Sequence, residues 1–294
     1  MSAARDRAAL VALVRLGRLA EHDVTERVEA GGGAMAVLAS ELAGADGQAR
    51  LIPEDPAPLL ERAGADIAAW SQRGIRLVTV LDADYPENLR LVHDRPPLLF
   101  VAGELQPADA RSVAVIGSRR ASESGLAAAT GLAKHLVRGG FTVVSGLAAG
   151  IDAAAHRAAL AAGGRTVAVV GTGLERCYPP QHRGLQDRIA SECAVVSQFW
   201  PDEPPSRTSF PRRNAVMSGL ALGTVIVEAS SRSGARVQAR LALAHGRAVF
   251  LRTELLEQPW ARELAARPGV HAVGEPAEIT ERLERMNATD ALVE

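Results

Sequence analysis

The chain has 294 residues, of which 47% are hydrophobic, and a formal net charge of −1 at pH 7. That is enough apolar material for one large core plus a small one, and it excludes a disordered tail. The near-zero charge excludes whole-molecule attraction to nucleic acid, so any anion site must be local, and 3% aromatic residues predict weak base stacking.

From Arg5 to about Leu42 apolar residues recur at three- and four-residue steps (Leu10, Leu13, Val14; Val24, Val28), interrupted by Gly31-Gly32-Gly33. This predicts a few short helices. The segment LIPEDPAPLL then brings three prolines, which stop helices and mark a linker. The division expected is a small N-terminal helical module of helix-hairpin or SAM-like kind over 1–55, followed by a larger domain over 56–294. After the linker come a helix ending near Gln72, a strand IRLVTVL, a polar turn DADYPENL, and a Pro96-Pro97 break before LLFVAG.

Beyond Arg111 short β-rich runs alternate with helical ones. The strands are RSVAVIGS, FTVVSG, RTVAVVGTG, AVVSQF, GTVIVEA and RAVFLR. Helices are predicted at about Ser122–Gly139, Ile151–Ala162, Arg183–Ser191, Arg212–Leu220 and Ala235–Gly246. Such alternation implies right-handed crossovers and an α/β fold with a doubly wound, mostly parallel sheet. Ligands of such sheets bind beyond the carboxyl ends of the strands, at the topological switch point. The motifs of this chain fall at those ends.

Gly117-Ser118-Arg119 follows a buried strand and precedes a helix. Glycine lets backbone amides approach an anion, the helix start adds positive potential, and Arg119 offers a bidentate guanidinium; a solvated arginine in an ordinary turn is the plainer alternative. In SGLAAGIDAAAH, Ser145 and Gly146 end a strand, Gly150 starts a helix, and Asp152 and His156 stand one turn apart. A hydrolase triad of these residues is rejected because the Gly-x-Ser-x-Gly elbow is absent. Asp152 is expected to bond loop amides and His156 to pack beneath the pocket. Gly171-Thr172-Gly173 lacks the third glycine of a dinucleotide fingerprint, which excludes a dehydrogenase; with Tyr178 it suits a cleft wall. Phe210-Pro211 precedes a helix whose first turn carries Arg212, Arg213 and Asn214, cations that oppose the helix dipole unless an anion or carboxylate sits among them. Glu228 or Asp152 could be that partner.

Cys177 and Cys193 lie far apart without Cys-x-x-Cys spacing, which speaks against a disulfide framework or a zinc site and fits a reduced cytosol. Neither a metal nor a cofactor is expected. The run Ala8–Val14 meets Arg15, Arg18 and Glu21 at once, unlike a signal peptide, and Ala215–Val227 is too short to span a membrane. A soluble, cytoplasmic protein is expected.

Taken together and in order, Gly117–Arg119, Ser145–His156, Gly171–Pro179, Phe210–Asn214 and Val227–Gly234 closely resemble the motifs of the DNA-processing protein A (DprA/Smf) family. The resemblance covers about Leu59 to Phe250. It implies an extended Rossmann-like fold, no catalysis, a homodimer, and single-stranded DNA held in a basic cleft. In that family's role the protein protects incoming strands in natural transformation and helps load the RecA recombinase. Carried over, Arg119 would contact DNA phosphate, Gly117 and Ser118 would shape its pocket, and Arg213 and Asn214 would line or brace the cleft. The remaining expected DNA contacts are Ser145, Gly146, Gly150, Arg183, Ser233, Gly234 and Arg236. Asp152, His156, Gly171, Gly173, Tyr178, Phe210 and Glu228 would shape the pocket. This chain departs from the pattern at Pro180, where a cation is usual, and at Ala235-Arg236-Val237-Gln238, where Ser-Leu-x-Thr is usual; the Val-Pro-Gly after the last strand is also replaced, and no winged-helix tail is expected. An alternative from another class is a nucleotide sensor or nucleotide hydrolase of the related Rossmann-like superfamily, although its Pro-Gly-Gly-x-Gly-Thr-x-x-Glu element is not found.

Overall fold

The computed structural model describes residues 3–44, 55–231 and 233–290. Three helices open the chain, α1 (Ala3–Leu16), α2 (Glu21–Ala30) and α3 (Ala34–Ala43), and α4 (Ala57–Gln72) follows. The proline linker proposed as a boundary lies largely outside the described residues. Then come β1 (Ile75–Thr79), α5 (Glu87–Arg90), β2 (Leu98–Gly103), β3 (Ser112–Gly117), α6 (Glu123–Arg138), β4 (Thr142–Ser145), α7 (Ile151–Ala161) and β5 (Thr166–Val169). The second half adds α8 (Arg183–Glu192), β6 (Ala194–Ser197), α9 (Ser209–Leu220), β7 (Gly223–Glu228), α10 (Ala235–Ala244), β8 (Ala248–Arg252), α11 (Pro259–Ala265), β9 (Val270–Val273) and α12 (Pro276–Asp290).

The strands form one sheet in the order β1-β2-β6-β5-β4-β3-β7-β8-β9. β1 and β2 pair antiparallel with their neighbours and the rest run parallel. The core strands are β-branched and buried on both faces, as parallel strands under two helical layers must be. β3 shows it residue by residue: Val113 and Val115 pack under α6 and α7, while Ala114 and Ile116 face the opposite layer. Every strand and helix placed by periodicity is found. β9, α11 and α12 were missed, because GVHAV is short and follows a run that reads as an altered loop. The chain leaves β3 toward β4 and leaves β7 toward β8, so the switch point lies between these two strands.

The N-terminal helices share a continuous apolar cluster with the sheet, from Leu10 and Leu38 through Trp70 to Phe100. Arg7 makes a bidentate pair with Asp82 at 2.7 Å, and Arg15 stacks 4.7 Å from the Trp200 ring. No described helix is long and apolar enough to cross a membrane.

Candidate functional site

A cavity of about 510 Å³ opens at the β3/β7 switch point, between the loops that follow those two strands. Gly117, Ser118, Arg119 and Arg120 come from the first loop and Ser230, Ser233 and Gly234 from the second. Phe210, Arg213 and Asn214 of α9 close one side, with Asp152 and Gln238 deeper in the wall. The structure thus brings four of the five separated motifs to one place, with the fifth beside it, where Gly171 lies against Phe210. Ser145, Gly146, Gly150, Arg183, Arg236, His156, Gly171, Gly173, Tyr178 and Glu228 do not line this cavity.

Several of these residues build its walls. Ser145 is buried and donates to the Val115 carbonyl at 2.6 Å, fastening β4 to β3 rather than meeting a ligand. A Cβ on Gly146 would fall 2.2 Å from the Arg213 guanidinium. Gly150 has φ +78° and touches the Ser118 and Arg119 backbone, where no side chain fits. Leu147 holds φ 56°, a left-handed conformation unusual for a non-glycine residue, and its carbonyl accepts from Nδ1 of buried His182 at 2.8 Å. His182 gave no signal in the sequence. Gly171 lies under Phe210, and Gly173 lies against the Trp200 and Pro201 carbonyls.

The buried charges are internally matched. Asp152 accepts from the Gly146 and Ala148 amides at 3.2 and 3.4 Å, as expected. Burial pushes its carboxyl above the ordinary range, against the pull of Arg213. Arg213 donates to the carbonyls of Gly146 and Val169 and to Asn214. Burial lowers its pKa, partly offset by Asp152 and reinforced by Arg119. Its role is therefore bracing, with carbonyls rather than Glu228 as direct partners. His156 packs beneath, its Nδ1 2.6 Å from Thr166 Oγ1, and burial drives its pKa down to about 3, so the ring is neutral at physiological pH. Arg212 is matched differently: it turns away to Glu21 of α2 at 2.5 Å.

The helix start after Gly117 does not serve an external anion, contrary to expectation. Glu228 occupies it, accepting from the Ser122 amide at 3.1 Å and from the Ser122 hydroxyl, while Ser122 Oγ caps α6 by accepting from Gly125. A carboxylate at a helix N-terminus satisfies the dipole that a phosphate would have used. Attraction for anions therefore rests on side chains. Arg119 and Arg120 are exposed at the mouth, and among the described residues neither forms an ion pair with a carboxylate. Arg119 lies 5.3 Å from the Phe210 ring, whose centroid is 5.6 Å from that of exposed Tyr178, so Tyr178 belongs to the rim rather than to the pocket wall.

Arg183 is bonded to the Glu175 carbonyl and lies near Asp187. Arg236 bonds the Ser231 carbonyl and lines a neighbouring trough of about 610 Å³ with Arg240, Trp260 and Arg267. Gln238 was missed as a site residue. It is 1% exposed, and neither amide atom finds a partner in the protein. The replacement of the usual Ser-Leu-x-Thr was its signal.

The sequence profile of the DNA recombination-mediator protein A family matches residues 76–285. The chain is 43% identical over 176 residues to DNA processing protein DprA of Streptococcus pneumoniae, covering 58% of this chain and 61% of that protein. It is 40% identical over 203 residues to protein Smf of Escherichia coli, covering 68% and 54% respectively. These alignments span between about half and two thirds of the relatives' lengths. Among solved structures, DNA processing protein A from Streptococcus pneumoniae superposes with a TM-score of 0.64 at 29% identity, covering 94% of this chain and 93% of that one. DNA processing protein A from Helicobacter pylori, described for its single-stranded DNA binding mode, superposes with a TM-score of 0.63 at 25% identity over 72% of this chain and 96% of that one. With four ordered motifs lining one cavity at the switch point and a profile match over most of its length, this chain belongs to the DNA recombination-mediator protein A family.

Proposed function

We propose that this chain binds single-stranded DNA across the β3/β7 cavity and acts as a recombination mediator, a binding protein rather than an enzyme. One observation carries the reading: Arg119 and Arg120 stand unpaired at the mouth, while Arg7, Arg15, Arg165 and many other arginines are tied to carboxylates. A cation kept free of internal partners is available to phosphate. The Phe210–Tyr178 pair supplies an aromatic ledge beside it, enough for limited stacking without sequence readout. In this reading the family role extends to protecting incoming strands, assisting RecA, forming a homodimer and working in the cytoplasm.

The test is a titration of an oligonucleotide as single strand and as duplex at two salt concentrations, with wild type and Arg119→Ala. The single strand binds more tightly, and each lost phosphate contact flattens the log–log salt slope by about 0.7. Identical slopes for the two proteins would sink the phosphate assignment. The cavity volume favours a second reading, a mononucleotide sensor, because about 510 Å³ lies within the range of small-molecule pockets. A larger thermal stabilisation by mononucleotides than by oligonucleotides would select that reading instead.

A further inference from the structure

Away from the cavity, the loop between α5 and β2 meets the end of α10. Asp94 Oδ1 lies 2.7 Å from Nε2 of His245, and Nδ1 of His245 lies 2.9 Å from Ser218 Oγ in α9. The His93 ring stands 5.4 Å from the His245 ring at 71°. One donor atom each from His93, Asp94 and His245 lie within 4.8 Å of one another. We propose that these three residues bind a divalent first-row metal ion, with zinc the best match.

Two imidazole nitrogens and one carboxylate oxygen make the donor set of three-ligand zinc sites with an open fourth position. The hydrogen bonds orient that set. Ser218 has one hydroxyl proton, and it donates to the Ala215 carbonyl at 3.0 Å. Nδ1 of His245 is then the donor to Ser218 Oγ, which leaves Nε2 facing the Asp94 oxygen, lone pair toward lone pair, unless a proton or metal ion lies between them. For an ion at normal bond lengths Nε2 and Oδ1 need to separate by roughly half an ångström, within the freedom of a loop aspartate. The His245 side chain is fully buried while Asp94 is 33% exposed. Asp94 also lines a surface pocket of about 410 Å³ with Glu21, His22 and Arg212, which gives an ion its entry path. The ion pair with Glu21 offsets the charge of Arg212 there.

The Asp94-His245-Ser218 chain is not a hydrolase triad, because Ser218 is fully buried within α9 and no substrate reaches its hydroxyl. A bound ion would instead fasten the loop before β2 to α10, whose other end supplies Ala235 and Gln238 to the cavity. Sequence reading expected no metal, having looked for cysteine spacing.

The test is titration of the full chain with cobalt(II), followed by its visible absorption and by displacement with zinc. Wild type takes up a single tetrahedral cobalt ion. His93→Gln changes an exposed side chain, so the fold survives, and it weakens uptake about tenfold or more; Ser218→Ala weakens it by about tenfold through loss of orientation. His22→Gln binds as wild type. No tetrahedral spectrum in wild type, an unchanged affinity in His93→Gln, or loss of binding in His22→Gln would each overturn the proposal. DNA affinity does not enter, so it stands or falls independently of the nucleic-acid reading.

Discussion

The loops after β3 and β4, residues 117–122 and 146–150, leave neighbouring central strands at their carboxyl ends, and both combine glycine with polar residues or neighbours. In the β4 loop the polar groups are spent inside the protein: its amides go to Asp152, its Gly146 carbonyl to Arg213, and its Leu147 carbonyl to His182. In the β3 loop the Ser118 and Glu228 backbone bonds fix the chain path, while two guanidiniums project outward without carboxylates. One loop is scaffold, and the other is the face that the proposed function assigns to the ligand. Polar residues at a strand end indicate binding only where their hydrogen-bonding capacity is left unused by the fold.

The comparison predicts separable effects. Removing the scaffold cation, Arg213→Ala, leaves Asp152 buried without its counter-charge and two carbonyls without donors. It should cost about 3–5 kcal/mol, read as a lower urea midpoint, with DNA binding lost as the fold loosens. A near-wild-type midpoint would show that Arg213 faces the ligand rather than bracing the wall.

Acid attacks the same scaffold through His156. Its folded pKa of about 3 lies below the unfolded value of about 6.5, so between these limits the unfolded chain binds the extra proton. Stability is fully present above pH 6.5 and falls as pH drops, by about 2 kcal/mol between pH 7 and pH 5. Urea titrations of wild type and His156→Gln across that range measure it, and the variant should lose this part of the pH dependence.

Gln238→Leu sharpens the contrast from the ligand side. It removes two unpartnered amide atoms from a buried position, so a gain of about 1 kcal/mol in stability is expected together with weaker single-strand binding. Unchanged binding would make Gln238 part of the wall alone. The smallest expected change is in the stability of Arg119→Ala: its urea midpoint should match wild type even as the salt slope flattens. A large drop would mean that Arg119 carries structural weight.

Much of this was legible in the sequence. The apolar runs of β3 to β8 and the helices between them are local patterns, and their alternation implies the sheet that was found. The ordered motifs likewise located the cavity at the strand ends. Yet Ser145, Gly146 and Gly150, grouped with Arg119 as DNA contacts, proved to be wall-building residues. Glu228 also holds the helix start that seemed open to an anion. Periodicity says which face of an element is buried; it does not say which partner satisfies a polar group.

The sequence by itself determined the α/β class, the order of elements and the carboxyl ends of the strands as the place where chemistry gathers, because burial patterns and turn residues act over a few neighbours in the chain. Only the tertiary structure decided which arginines remain free, that Gln238 faces the cavity wall without a partner, and that Asp94 meets His245 across 151 positions of sequence. Electrostatic pairing acts through space at a few ångströms, and chain distance carries no trace of it until the fold closes.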